Sequence, residues 1–107
     1  MKNISLLLFL MVLATNVYSQ NTNEDRAIKI TNEMSEVLSL DDDEKEKVYE
    51  IQLKRFHEVA TIRSMHAEDP ETKKAELKKV YNRLSGKLIS TLGKDKMKDW
   101  RIYKRNK

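Results

Sequence analysis

His57 and His66 are the two imidazoles of the chain, and each has a carboxylate close by, Glu58 and Glu68. Imidazole and carboxylate are ligand types that hold zinc. Nine residues of separation, at 100° per helical residue, turn the two histidines about 180° apart, so one helix cannot aim both at one ion. The i, i+4 histidine pairing that makes a helical zinc site specific is absent. Surface or rim histidines are expected, and zinc has a place only at a contact between two chains. Asp41, Asp42 and Asp43 are adjacent acids without the alternating spacing of a calcium loop, and helix capping accounts for them. The chain has no cysteine, no Ser-His-acid set and no glycine-rich phosphate loop. No catalytic role, cofactor or metal is expected from such an inventory.

The chemistry that remains is that of recognition. Arg55 and Arg63 fall inside an apolar arc made by Ile51, Phe56, Val59 and Ile62. In one reading their stems line a helix interface while the guanidinium groups reach water. In the other, the six residues form an amphiphilic surface that holds unfolded chains loosely, cations attracting and apolar groups gripping. A surface that must release its cargo mixes the two, because a wholly apolar patch aggregates. Trp100 and Tyr103, set among Lys94, Lys96, Lys98, Arg101 and Lys104, make a basic, aromatic C-terminus of the kind single-stranded nucleic acid binders use. Export of the chain argues against nucleic acid. Packing of Trp100 on the other helices is expected instead, with weak contact to an anionic membrane surface left open.

Four helical segments position these residues. The first starts near Thr22, whose spacing to Asp25 resembles a capping box, and carries Ala27, Ile30, Met34, Val37 and Leu38 as one stripe. Asp41 reads as the next N-cap, with Glu44 three residues on completing a second box. The helix it opens is expected over about 42–67. Its apolar residues Val48, Tyr49, Ile51, Leu53, Phe56, Val59, Ala60, Ile62 and Met65 spread over an arc wide enough for more than one neighbour. Asp69 and Pro70 start a third helix, which Leu77, Val80, Tyr81, Leu84, Leu88 and Leu92 stripe and Gly93 closes. A short fourth runs from Lys94 to about Tyr103, with Lys104 to Lys107 expected to fray.

The N-terminus sets the compartment. Lys2 precedes an apolar run, Ile4 to Ala14, and Val17-Tyr18-Ser19 suits a signal peptidase. The run is too short to span a bilayer. Cleavage after about Ser19 and a periplasmic product beginning at Gln20 are expected, with 20–107 as one helical domain. Such a chain is short for a self-sufficient core, and it has no disulfides to help. Helix pairing and dimerisation are expected to supply stability. Charge divides unevenly: 20–72 hold 7 basic against 14 acidic residues, whereas 73–107 hold 13 against 3. Acidic and basic segments lying side by side in a hairpin or dimer explain the split, and a basic docking surface for acidic partners is the other reading. With 2 glycines and 1 proline in the whole chain, a sheet protein lacks its turns; all-α is the fold class.

Arg26-Ala27, Thr31, Met34, Leu38 and Leu40, followed by a capped acidic turn and Val48-Tyr49-Glu50-Ile51, resemble the Spy/CpxP family of small periplasmic helical proteins, in its short Bacteroidetes-type form. That family carries an L-T-x-x-Q element twice. Leu40, Asp41 and Glu44 stand at the first element, with Asp41 for threonine and Glu44 for glutamine. Leu92, Gly93 and Lys96 stand at the second, and Trp100 follows where the family often has an aromatic. The resemblance implies a long antiparallel helical hairpin that dimerises into a cradle. It also implies ATP-independent binding of unfolded or stress-damaged envelope proteins. A regulatory or zinc-responsive adaptor of an envelope stress sensor is the alternative it implies.

Overall fold

The computed structural model describes residues 22–107, and the expected signal peptide and its cleavage point lie outside them. The described chain is all-α, with no strand: α1 spans 22–38, α2 Asp42–Met65, α3 Pro70–Leu92 and α4 Lys94–Asn106. No helix among the described residues is long and apolar enough to cross a membrane.

Local chemistry explains most of the boundaries. Helix α1 is in place from the first described residue, Thr22, and its expected capping box reaches the edge of the described residues. At the other end of α1, Ser39 turns left-handed at φ 53°, and the Leu40 N–H donates to the Ser35 carbonyl at 3.2 Å. This reversal resembles a six-to-one helix stop, done with serine where glycine is usual. Asp41 Oδ1 then accepts from the Glu44 N–H at 2.8 Å, and Glu44 Oε1 accepts from the Asp41 N–H at 3.2 Å. The second expected capping box is therefore complete. The third start is equally local, since Asp69 accepts from both the N–H and the hydroxyl of Thr72, with Pro70 in the first turn. Helix α2 stops at Met65, two residues short of the expected end: the His66 N–H makes the last α-type bond, to Ile62, and the Asp69 N–H then closes a turn onto the His66 carbonyl at 3.1 Å.

Antiparallel pairing organises the helices. Asn23 meets His57 and Met34 meets Gln52, so α1 runs back along α2. Arg83 pairs with Glu58 across the α2–α3 hairpin. The wide apolar arc of α2 thus does serve two neighbours. Helix α4 folds back and ties down at both ends, through Lys96 to Glu44 and through Tyr103 and Lys107 to Glu33. The C-terminus does not fray as expected. An ion pair from Lys107 to Glu33 at 2.7 Å holds it, and α4 continues to Asn106.

Met34, Leu38, Val48, Leu88, Leu92, Met97 and Trp100 form one core, and Ile30, Leu40, Ile51, Leu84 and Tyr103 pack against it. All of it sits at the end where α1 and α4 cover the hairpin. Trp100 is 3% exposed and stacks on Tyr103 with ring centroids 5.5 Å apart, so the C-terminal aromatics pack inward. Ala60, expected in the apolar arc, is exposed because it faces away from both neighbours of α2.

The two glycines have opposite demands. Gly93 adopts φ 91° and ψ 162° between α3 and α4, a region essentially closed to side-chain-bearing residues. Gly86 lies inside α3 with open space where a Cβ would stand. Gly86→Ala should stabilise the chain by about 1 kcal/mol through helix propensity, raising Tm by roughly 4–8 °C. Gly93→Ala should destabilise it by about 1–3 kcal/mol. Thermal denaturation followed by far-UV circular dichroism checks both, and equal shifts would contradict the assignment.

Candidate functional site

The two short elements that carry the family resemblance lie far apart in sequence and meet in space. Leu40 packs against the core and Leu92 is within it. Asp41 and Glu44 cap α2, and Gly93 joins α3 to α4 with its N–H donating to the Ile89 carbonyl at 2.8 Å. Lys96 Nζ reaches both Glu44 oxygens, at 3.0 and 2.9 Å. Glu44 and Lys96 occupy the two positions where L-T-x-x-Q elements have glutamine. Here the pair is a charged bridge between helix starts. The Lys96 ammonium, and next the Asp41 N–H, hold the Glu44 carboxyl below the usual carboxylate range. Lys107, with Tyr103 assisting, does the same for Glu33 at the far end of α4.

The six candidate contact residues on α2 divide. Val59 is buried and Ile51 packs on the core, so both serve packing rather than an open surface. Phe56 and Ile62 are partly exposed and Arg63 is exposed. Arg55 is half-buried: its Nε and Nη2 donate to Gln52 Oε1 at 3.2 and 3.0 Å, and its guanidinium lies 4.0 Å from the centroid of the Phe56 ring. Burial pushes the Arg55 pKa down, with Tyr81 beside it opposing the shift. No carboxylate among the described residues pairs with it.

Sequence reasoning missed Gln52, which is 1% exposed. Its Nε2 donates to the Met34 sulfur at 3.5 Å while its oxygen serves Arg55, so the buried amide is satisfied on both sides. A signal existed. Val48, Gln52, Arg55 and Val59 follow at steps of four, three and four, which is a single helical stripe.

Beyond this network the hairpin thins. Between residues 53 and 87 only Val59 and Val80 are buried, and α1 touches this stretch through Asn23 to His57. The thin arm shows Met65 at 71% exposure, and Phe56, Ile62 and Leu77 are partly exposed along it. Arg63, Arg83, Lys73 and Lys74 are interspersed. His57 is taken up by Asn23 and His66 ends α2; among the described residues no three His, Cys, Asp or Glu side chains converge on an ion-sized site.

A family model described as a domain of unknown function, DUF4890, matches residues 14–104, which include all of α1, α2 and α3 and most of α4. The chain belongs to the DUF4890 family. No curated protein and no solved structure matches it. In this DUF4890 chain the bridged helix starts and the thin arm are opposite ends of one hairpin, one rigidly tied and one sparsely packed.

The bridge gives the protein an acid limit. A carboxylate whose folded pKa is depressed contributes stability that is present above its unfolded value and lost as pH falls through the folded one. The urea midpoint should therefore hold near neutral pH and fall below about pH 4. Glu44→Gln keeps the cap acceptor but loses the charge, so it should lower the neutral midpoint and make the acid fall shallower. Urea titrations from pH 2 to pH 7 check this; parallel curves would remove Glu44 from the linkage.

Proposed function

We propose that this protein is an exported, periplasmic, ATP-independent chaperone-like binder of unfolded or stress-damaged envelope proteins, similar in kind to the Spy/CpxP family. The observation that carries the reading is the sparsely packed arm of the α2–α3 hairpin. Its apolar groups, Met65 largely open and Ile62, Phe56 and Leu77 partly so, share the arm with Arg63, Lys73 and Lys74. Exposed apolar surface of that kind marks an interaction site, and interspersed cations attract segments without locking them in place. The paired elements at Leu40–Glu44 and Leu92–Lys96 support the likeness to Spy/CpxP, since they occupy equivalent helix starts.

Self-association belongs to the same proposal. Two copies pairing through their hairpins would form the cradle that the resemblance implies and shield the arms when no client is present. Of the six residues first singled out on α2, Phe56, Ile62 and Arg63 remain as client contacts. Arg55 fixes the base of the arm through Gln52.

The arm is tested by substitutions that are exposed and so spare the fold. Arg63→Glu with Met65→Glu should raise several-fold the concentration of chain needed to halve the aggregation of a denatured client, read by light scattering. Far-UV circular dichroism should be unchanged. Suppression equal to that of the parent chain would take the arm out of the site, and failure of the parent chain to suppress any of several unrelated clients would end the chaperone reading.

A further inference from the structure

A second feature lies at the covered end of the bundle and is independent of the arm. A cavity of about 230 Å³ opens where all four helices meet. Its floor is largely apolar and buried: Leu88, Met97 and Trp100 are each at most 5% exposed, and the buried Gln52 beside them has its amide nitrogen on Met34 and its oxygen on Arg55. Ile30 and Leu84 form partly exposed walls. Three cations also line it, Arg55 from α2 and Arg101 and Lys104 from α4, together with Tyr81 and Ser85, all of them half-buried or exposed and so at its mouth.

That mouth is unbalanced in charge. No carboxylate lines the cavity, and none of the three cations makes an ion pair among the described residues. Lys104 lies 5.7 Å from the Trp100 ring centroid, and Arg55 is partly desolvated against Gln52 and Phe56. Elsewhere on this chain the cations that reach between helices do find acids: Lys96 has Glu44, Arg83 has Glu58 and Lys107 has Glu33. One half-buried arginine and two exposed cations with hydroxyl donors beside them attract an oxyanion, and arginine in particular suits a planar carboxylate. The greasy floor beneath it asks for something that is apolar a few ångströms below its charge.

We propose that this cavity binds a single-chain fatty carboxylate, head group at Arg55, Arg101 and Lys104, and chain laid over Leu84, Leu88, Met97 and Trp100. Inorganic anions would satisfy the mouth and leave the floor in water. Neutral or cationic chains would satisfy the floor and leave the mouth uncompensated or repelled. Only the amphiphilic acid meets both. Because Arg101 and Lys104 are on α4, away from Arg63 and Met65, the site stands or falls separately from the client-binding arm.

The sole tryptophan of the chain lines the cavity and reports on it directly. Purified protein is titrated with dodecanoate, kept below its micelle-forming concentration, while Trp100 emission is followed. The emission should shift and saturate, and calorimetry should give one ligand per chain. Dodecyltrimethylammonium, dodecyl maltoside and acetate should produce no saturable change. Arg101→Glu with Lys104→Glu, both exposed positions, should weaken dodecanoate binding at least about tenfold, as expected when oppositely charged partners become like-charged, and leave aggregation suppression intact. Equal responses to the neutral or cationic chain would overturn the proposal, as would undiminished binding by the double variant. So would a response to a short apolar peptide acid without one to dodecanoate, because the occupant would then be a peptide terminus.

Discussion

Return of α4 onto the bundle is the constraint on which the rest of this structure depends. An antiparallel pair such as α2 and α3 buries one seam and leaves its outer faces wet. Trp100 and Met97 from α4 and Met34 and Leu38 from α1 convert one end of that pair into a closed core. No disulfide assists, since the chain has no cysteine. The closure instead relies on apolar burial in the middle of α4 and on charged contacts at its ends, Lys96 to Glu44 and Lys107 to Glu33. These pairs are partly exposed, and pairs of that kind contribute little alone. Their role is to fix direction and register for a short helix whose start has no side-chain cap.

Concentrating the core at one end has a physical cost and a functional use. A chain this small cannot fill the full length of helices as long as α2 and α3, which have 24 and 23 residues. Apolar groups at the unfilled end are then held on a scaffold without being buried by it. The same economy appears at Arg55. Gln52 accepts its guanidinium, Phe56 offers a ring face, and the arginine stem covers the seam where the filled end gives way to the thin one.

What could be read from the sequence was whatever depends on near neighbours. Asp41 with Glu44, Asp69 with Thr72 and Pro70, and Gly93 all act within three or four residues, so the helix boundaries they set were legible. So was the inward packing of Trp100, from its spacing to Met97 and Tyr103. Contacts across long separations were not. Glu44 and Lys96 are 52 residues apart, and nothing in either local pattern names the other. The same blindness hid the grip of Lys107 on Glu33, which turned an expected loose tail into an ordered end. Gln52 was passed over because a polar residue in a helix is ordinarily taken as solvent-facing. Its stripe with Val48 and Val59 was visible, but the sulfur and guanidinium that satisfy it come from elsewhere. Among the α2 candidates, periodicity grouped Val59 with Phe56 and Ile62. It could not tell which of them the neighbouring helices would cover.

The unequal filling of the hairpin also means that one continuous helix carries two stabilities. Amide protons of α2 near Val48 and Gln52 can exchange with solvent only when α1 and α4 lift away, an opening that approaches global unfolding. Those near Ile62 and Met65 are freed by a local parting of two turns that disturbs neither α1 nor α4. Deuterium uptake along α2 is accordingly expected to be graded, slow at its capped beginning and fast toward His66, although the helix itself is unbroken.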